Sequence, residues 1–307
     1  MTEYFDLQNE EGRTVAVWRD APADGARGPV VVMAPGYGQR MRSGGVMALW
    51  LLRNGATVYR FDSLDHVGLS AGEIRQYSLL ALHSALSTVV SYVRGREQVR
   101  DVSFLATSLA ALPVAQYAAT AKCADNVVLV LGVVNGRQTL VQVLGVDYLD
   151  WDLDALPAHF VIEKHEVDPR PIVAEQRVIP WWNMSSMIDA LSVLNVPVRN
   201  FVAADDDWVD INDVRASFVA ANLDPLQSIV EVPVSGHALL RNPVALKAML
   251  SDVTRALVPD TGPLVMPSFE DIVALRGAER DLEREHRASR SADADRRVDA
   301  GSRGVDS

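Results

Sequence analysis

Leu105-Ala106-Thr107-Ser108-Leu109-Ala110-Ala111 is the stretch whose reading decides the fold. An apolar run over residues 102–106 leads into a serine flanked by small residues, and residues 109–119 continue with helical spacing. A serine on a sharp strand-to-helix turn presents its hydroxyl at the top of a sheet, and the turn is tight enough to demand small neighbours. Ala106 and Ala110 stand two before and two after the serine, where glycine is usual. Alone, Ala-x-Ser-x-Ala is a common pattern. It gains weight from an acidic cluster downstream, Asp205-Asp206-Asp207, and from His237.

Outward from the serine, strands and helices alternate. Residues 3–7 and 14–18 alternate in polarity around Asn9-Glu10-Glu11-Gly12 and predict an antiparallel hairpin. Residues 29–34 form a β-branched run ending at Pro35-Gly36-Tyr37-Gly38, and a helical pattern over 46–53 stops at Asn54-Gly55. A strand over 56–61, a helix over 79–94 and strands over 127–134, 197–203 and 228–232 follow, with a last helix over 244–257. Such alternation implies a mostly parallel central sheet with helices on both faces. Chemistry in these sheets gathers at the carboxyl ends of the strands, and Ser108, Asp206 and His237 each fall just after one. Serine, acid, histidine is also the chain order of α/β-hydrolases, so that fold is expected.

The core is expected over residues 1–135 and 195–260. Between them, residues 136–194 break the alternation and carry Leu140, Trp151 and the pair Trp181-Trp182. They are read as a cap or lid shaping an apolar pocket. Residues 261–307 are a C-terminal extension dominated in its last part by Arg, Asp, Glu, Ala and Ser, expected to be disordered from about residue 288.

Whole-chain properties narrow the class. The 307 residues suffice for one large domain or two small ones. At 49% hydrophobic and 22% charged, the composition is that of an ordinary globular protein. Residues 1–12 are polar and acidic, without the basic start and apolar core of a secretory leader, so a cytoplasmic setting is expected. The apolar run at 127–134 is strand-sized, far short of the roughly 20 residues of a spanning helix, and no membrane span is expected. A single cysteine, Cys123, makes no internal disulfide and no metal cluster; neither metal nor cofactor is expected. The net charge of −11 lacks a nucleic-acid footprint, and no such partner is expected.

Each candidate site residue has a role set by its chemistry. Ser108 is the nucleophile, weak until an adjacent base takes its proton. His237, in Val234-Ser235-Gly236-His237-Ala238, is the base and then the acid, because an imidazole titrates near working pH. It is the one of the 6 histidines that follows the last strand; His66 is read as a loop residue near the mouth of the site. The triad acid, which orients the imidazole, is one of Asp205, Asp206, Asp207 and Asp210, and spacing does not separate them. The oxyanion hole is expected from the backbone N–H of Leu109 and of Tyr37, in the glycine-flanked turn after the strand at 29–34.

Several blocks carry a resemblance. They are Gly36-Tyr37-Gly38-Gln39-Arg40-Met41, Tyr59-Arg60-Phe61-Asp62-Ser63-Leu64-Asp65-His66-Val67-Gly68-Leu69-Ser70, Gly132-Val133-Val134-Asn135 with Thr139-Leu140, and Asp206-Asp207-Trp208-Val209. With these the chain resembles, over about residues 14–257, the acyl transferases of bacterial bioluminescence, the LuxD family of acyl-carrier-protein thioesterases. That family too has alanine two before its serine. Residue by residue, the resemblance puts the nucleophile on Ser108, the acid on Asp206 and the base on His237. It departs at Ala110, where the family commonly has serine, and over residues 151–187, which match poorly. What it implies is cleavage of a fatty acyl thioester on acyl carrier protein, through an acyl-serine, to free fatty acid. A fatty acid reductase is the downstream partner it implies. Two alternatives stand beside this: a carboxylesterase acting on small oxygen esters, and a non-catalytic acyl-binding protein.

Overall fold

The structure, a computed structural model, describes residues 2–23, 25, 28–232, 243–259 and 262–302. It contains two units, Met1–Val265 and Met266–Ser307. In the first, eight strands form one sheet: β1 (Thr2–Gln8), β2 (Thr14–Asp20), β3 (Val30–Ala34), β4 (Thr57–Phe61), β5 (Val102–Thr107), β6 (Ala124–Val130), β9 (Val198–Ala203) and β10 (Ile229–Val232). Two further strands, β7 (Phe160–Ile162) and β8 (His165–Val167), form a small antiparallel sheet of their own. The large sheet has the order β1-β2-β4-β3-β5-β6-β9-β10. β1 and β2 pair antiparallel, β2 runs antiparallel to β4, and every other pairing in it is parallel.

This is the α/β-hydrolase architecture that the serine turn and the alternation of elements pointed to. The parallel strands are short and apolar on both faces, as they must be when helices cover both sides. On β3, Val30, Val32 and Ala34 enter one core cluster while Val31 and Met33 enter the other. β5 divides likewise, with Val102, Phe104 and Ala106 on one side and Leu105 on the other. The period of two along a strand makes this division.

Helices α1 (Gly45–Arg53) and α9 (Pro243–Leu257) cover the second cluster. The opposite face takes α2 (Leu79–Glu97), α3 (Ala111–Ala121) and α7 (Ile211–Ala220). α4 (Gly136–Leu144), α5 (Pro169–Val178) and α6 (Met184–Ser192) lie in the segment between β6 and β9, and their apolar residues join the same face. Short α8 (Pro225–Ser228) precedes β10. Trp182 is wholly buried, so it packs as core rather than lining an open pocket.

One carboxylate docks this inserted segment on the sheet's helices. Glu175 of α5 is buried, and its two oxygens accept the N–H groups of Leu79 and Leu80 at 3.1 and 3.0 Å. Those are N–H groups of the first turn of α2, which have no carbonyl behind them within the helix. The Trp182 indole also donates to Glu175, at 2.7 Å. Burial raises the carboxyl's pKa while these donors oppose the rise.

In the second unit, α10 (Phe269–Ser302) is helical well past residue 288, where composition predicts disorder. Arg, Glu and Ala are strong helix formers, and pairs such as Arg284–Asp281 at 3.2 Å support a helix that needs no core of its own. Among the described residues, no helix is long and apolar enough to cross a membrane.

Candidate active site

β3 lies between β4 and β5 in the sheet, so the chain leaves β3 to one side and returns on the other. A crevice opens at the carboxyl ends of strands where the winding reverses in this way. Ser108 is the residue after β5, and Pro35-Gly36-Tyr37-Gly38 follows β3; the two strands are paired through Ala34 and Ala106. Ser108 is buried and has φ 55°, a left-handed conformation rare for a residue with a Cβ. It opens a short helical turn that runs on into α3. This is the strained strand-to-helix corner expected of a nucleophile.

The turn after β3 approaches the serine closely. A Cβ on Gly36 would lie 3.0 Å from the Thr107 carbonyl oxygen and 3.2 Å from the Ser108 Cβ. Three N–H groups of this turn are committed. Gly36 donates to Gln39 Oε1 at 3.4 Å, Gly38 to His66 Nε2 at 2.9 Å and Gln39 to the Gly36 carbonyl at 3.1 Å. The Tyr37 N–H has no hydrogen-bond acceptor among the described residues. Leu109 stands in the first turn after the corner, where helix N–H groups lack an internal partner.

The four candidate acids do different work. Asp210 caps α7, accepting the Asn212 N–H at 2.8 Å. Asp205 and Asp207 are exposed. Asp206 is half-buried, and its Oδ1 accepts the N–H groups of Trp208 at 2.8 Å and Val209 at 3.0 Å. Two donors on one oxygen hold that carboxylate in a fixed plane, which suits an orienting acid. His237 lies outside the described residues, within 233–242, and so does the turn that carries it.

The blocks that carried the resemblance turn out to be the ties of this site. Val133 donates to the Ser108 carbonyl at 3.2 Å, and the Asn200 side chain brackets Gly132 through its N–H at 3.1 Å and its carbonyl at 3.0 Å. The Thr139 hydroxyl donates to the Trp208 carbonyl at 2.8 Å, and the Asn135 amide to Asp213 at 2.8 Å. The serine corner and the Asp206 loop are thus fastened to the same segment. On the other side, Asp62 is buried and accepts the Met41 N–H at 2.6 Å and the Leu69 N–H at 2.7 Å. Arg60 pairs with Asp20 at 2.7 Å inside the protein and donates to the Met41 carbonyl at 3.2 Å.

His66 lies in the loop after β4, as the sequence reading had it, but its side chain is 5% exposed and grips the turn after β3 through Gly38. Burial lowers its pKa to about 4, so the ring is neutral over the ordinary range. Tyr37 and Tyr77 make edge-on or tilted ring contacts with it, and His165 packs edge-on against Tyr37. His165 comes from the β7–β8 hairpin, whose Glu163 Oε2 would lie 3.1 Å from a Cβ on Gly38. The sequence offered no signal for this hairpin: its strands have three residues each, too short for an alternating pattern.

Comparison with known proteins agrees with the resemblance. Residues 4–287 match the family model described as acyl transferase. The acyl transferase of Shewanella woodyi is 32% identical over 282 residues, covering 89% of this chain and 92% of that protein. That of Aliivibrio fischeri is 32% identical over 286 residues, covering 90% and 92%. Among solved structures, Est1E from Butyrivibrio proteoclasticus with ferulic acid bound superposes with a TM-score of 0.66 at 17% identity, over 83% of this chain and 96% of that one. A putative hydrolase from Agrobacterium vitis gives 0.64 at 18% identity, over 84% and 98%. At such identities the structural matches speak for the fold alone.

Proposed function

The chain belongs to the acyl transferase family, and on that premise we propose that it cleaves a fatty acyl thioester borne by acyl carrier protein, through an acyl-serine on Ser108, to release free fatty acid. The observation that carries this reading is the left-handed Ser108 at the end of β5 with the Gly36 turn pressed against it. A left-handed serine at the end of a strand, with a tightly packed glycine turn beside it, is the arrangement that presents its hydroxyl to a carbonyl carbon.

In the first half-reaction His237 takes the Ser108 proton as Oγ bonds to the thioester carbon. The carbonyl oxygen gains the charge, and the Tyr37 and Leu109 N–H groups receive it. When the tetrahedral adduct collapses, the C–S bond breaks and the carrier's sulfur takes the proton from the imidazolium. Water then repeats the sequence: His237 takes its proton, the acyl–Oγ bond breaks, and Ser108 regains its hydrogen. Asp206 holds the imidazole in the tautomer that both halves need.

The test is turnover of acyl carrier protein thioesters of several chain lengths beside p-nitrophenyl esters, with Ser108→Ala as control. Faster release of fatty acid from the thioesters, abolished in the variant, is expected. Ester turnover alone would replace the thioesterase reading with the carboxylesterase one. No Ser108-dependent turnover of either class would leave an acyl-binding protein.

A further inference from the structure

Among the described residues, the turn Gly36-Tyr37-Gly38-Gln39 has one N–H without an acceptor, that of Tyr37, while each neighbouring N–H has been given one. Two of these acceptors belong to the turn itself. The third, His66 Nε2, is imported from a loop 28 residues away in the chain. Gly38 has φ +68°, so the peptide between Tyr37 and Gly38 is swung out of the extended path that β3 would continue. His66 adds an acceptor from outside the turn to the turn's own bond from Gln39 N–H to the Gly36 carbonyl.

The loop that brings His66 is itself rigidly mounted. Asp62 ties its start to Met41, two residues after the turn, and to Leu69 at its end. Arg13 clamps Asp65 through two guanidinium nitrogens, at 2.9 and 2.5 Å, and the Ser70 hydroxyl accepts the Ala16 N–H at 2.9 Å. The ring is wedged between Tyr37, at 5.9 Å between centroids, and Tyr77, at 5.6 Å. Since Nε2 accepts, the ring proton is on Nδ1.

We propose that His66 is a positioning residue for the oxyanion hole: by accepting the Gly38 N–H it fixes the turn so that the Tyr37 N–H is the one left for the acyl oxygen. The inference rests on the reading of Ser108 as nucleophile, and it adds a residue that never touches the substrate. An imidazole suits the task because burial keeps its lone pair in place. The groups facing it are the Tyr37 and Tyr77 phenols and His165, and His165 is in turn acted on by Glu163, Lys164 and Arg40. The charge of a protonated His165 lowers the affinity of His66 for a proton still further.

The test compares His66→Phe, which keeps the ring and loses the acceptor, with His66→Gln, whose Oε1 stands the same number of bonds from Cβ as Nε2. With a p-nitrophenyl acyl ester, His66→Phe is expected to lower kcat by about 10–100-fold, the scale of a displaced catalytic donor, and to leave KM within about threefold. His66→Gln is expected to regain most of the loss. Equal impairment in the two variants, or a kcat unchanged in His66→Phe, would overturn the proposal. A readout free of turnover keeps it testable if the acyl-serine reading fails: imidazole nitrogen NMR of the full chain. A neutral, Nδ1-protonated His66 from pH 8 to pH 5 is expected. A ring that takes its proton near pH 6.5, or carries it on Nε2, would overturn the acceptor role.

Discussion

Ser108 and Asp206 are the residues whose neighbours say most about them. The serine's left-handed backbone is a cost accepted for position, and the two N–H groups on Asp206 Oδ1 fix that carboxylate in place. Asp206→Asn is expected to lower kcat by roughly 10³–10⁴-fold, because the wrong imidazole tautomer is then favoured. Asp205→Asn and Asp207→Asn, on exposed side chains, should stay within about threefold of the parent by the same rule that exposed substitutions act weakly. Steady-state kinetics on one acyl substrate decides among the three. Gly36→Ala tests the close approach: its new methyl meets Thr107 and Ser108, and a loss of kcat of about tenfold or more is expected, with the fold retained by circular dichroism. At this scale the serine was legible because its turn has a local signature in small residues. His66 was not, because its importance comes from a partner 28 positions away that no spacing rule connects to it.

Among the elements, the parallel strands and the helices on them were readable from hydrophobic runs and their stops. β3, β4, β5 and β9 fall within a residue or so of their expected bounds, but β6 ends at Val130 rather than at residue 134. The apolar residues after it continue as a loop whose Leu131 is left-handed at φ 49°, and whose next N–H groups are taken by Asn200 and the Ser108 carbonyl. Hydrophobicity there reports burial beside the site and not extension of the strand. The segment from α4 to α6 was legible only as an interruption, since its packing depends on contacts such as Glu175 with the start of α2. Glu175→Ala leaves three N–H donors, two of them buried, without that acceptor. A loss of about 2–4 kcal/mol in unfolding free energy is expected by urea titration, well above the change for an exposed control such as Glu166→Ala.

For the whole molecule, histidines whose proton affinity falls on folding link stability to pH. His66 takes a proton near pH 6.5 in the unfolded chain but only near pH 4 when folded, and burial lowers His83 and His165 in the same direction. Between those values the unfolded chain binds more protons, so folding stability rises with pH through the window and falls as pH drops through it. Each such group contributes a slope of up to about 1.4 kcal/mol per pH unit. The parent is expected to lose stability from pH 6.5 to pH 5, and His66→Gln to lose less over the same interval; parallel curves would show that His66 does not carry the linkage. The same net charge of −11 that argued against nucleic acid sets the character of this surface, while the family assignment sets its chemistry.

The central claim is an acyl-enzyme on Ser108, and intact-protein mass after mixing with a panel of acyl carrier protein thioesters tests it most directly. The account predicts a rise equal to one acyl group, accumulating with the preferred chain length, abolished in Ser108→Ala, and prolonged when His237→Ala slows the water step after a slower acylation. Free fatty acid released at the parental rate by Ser108→Ala, or an adduct mapped to any other side chain, would contradict it.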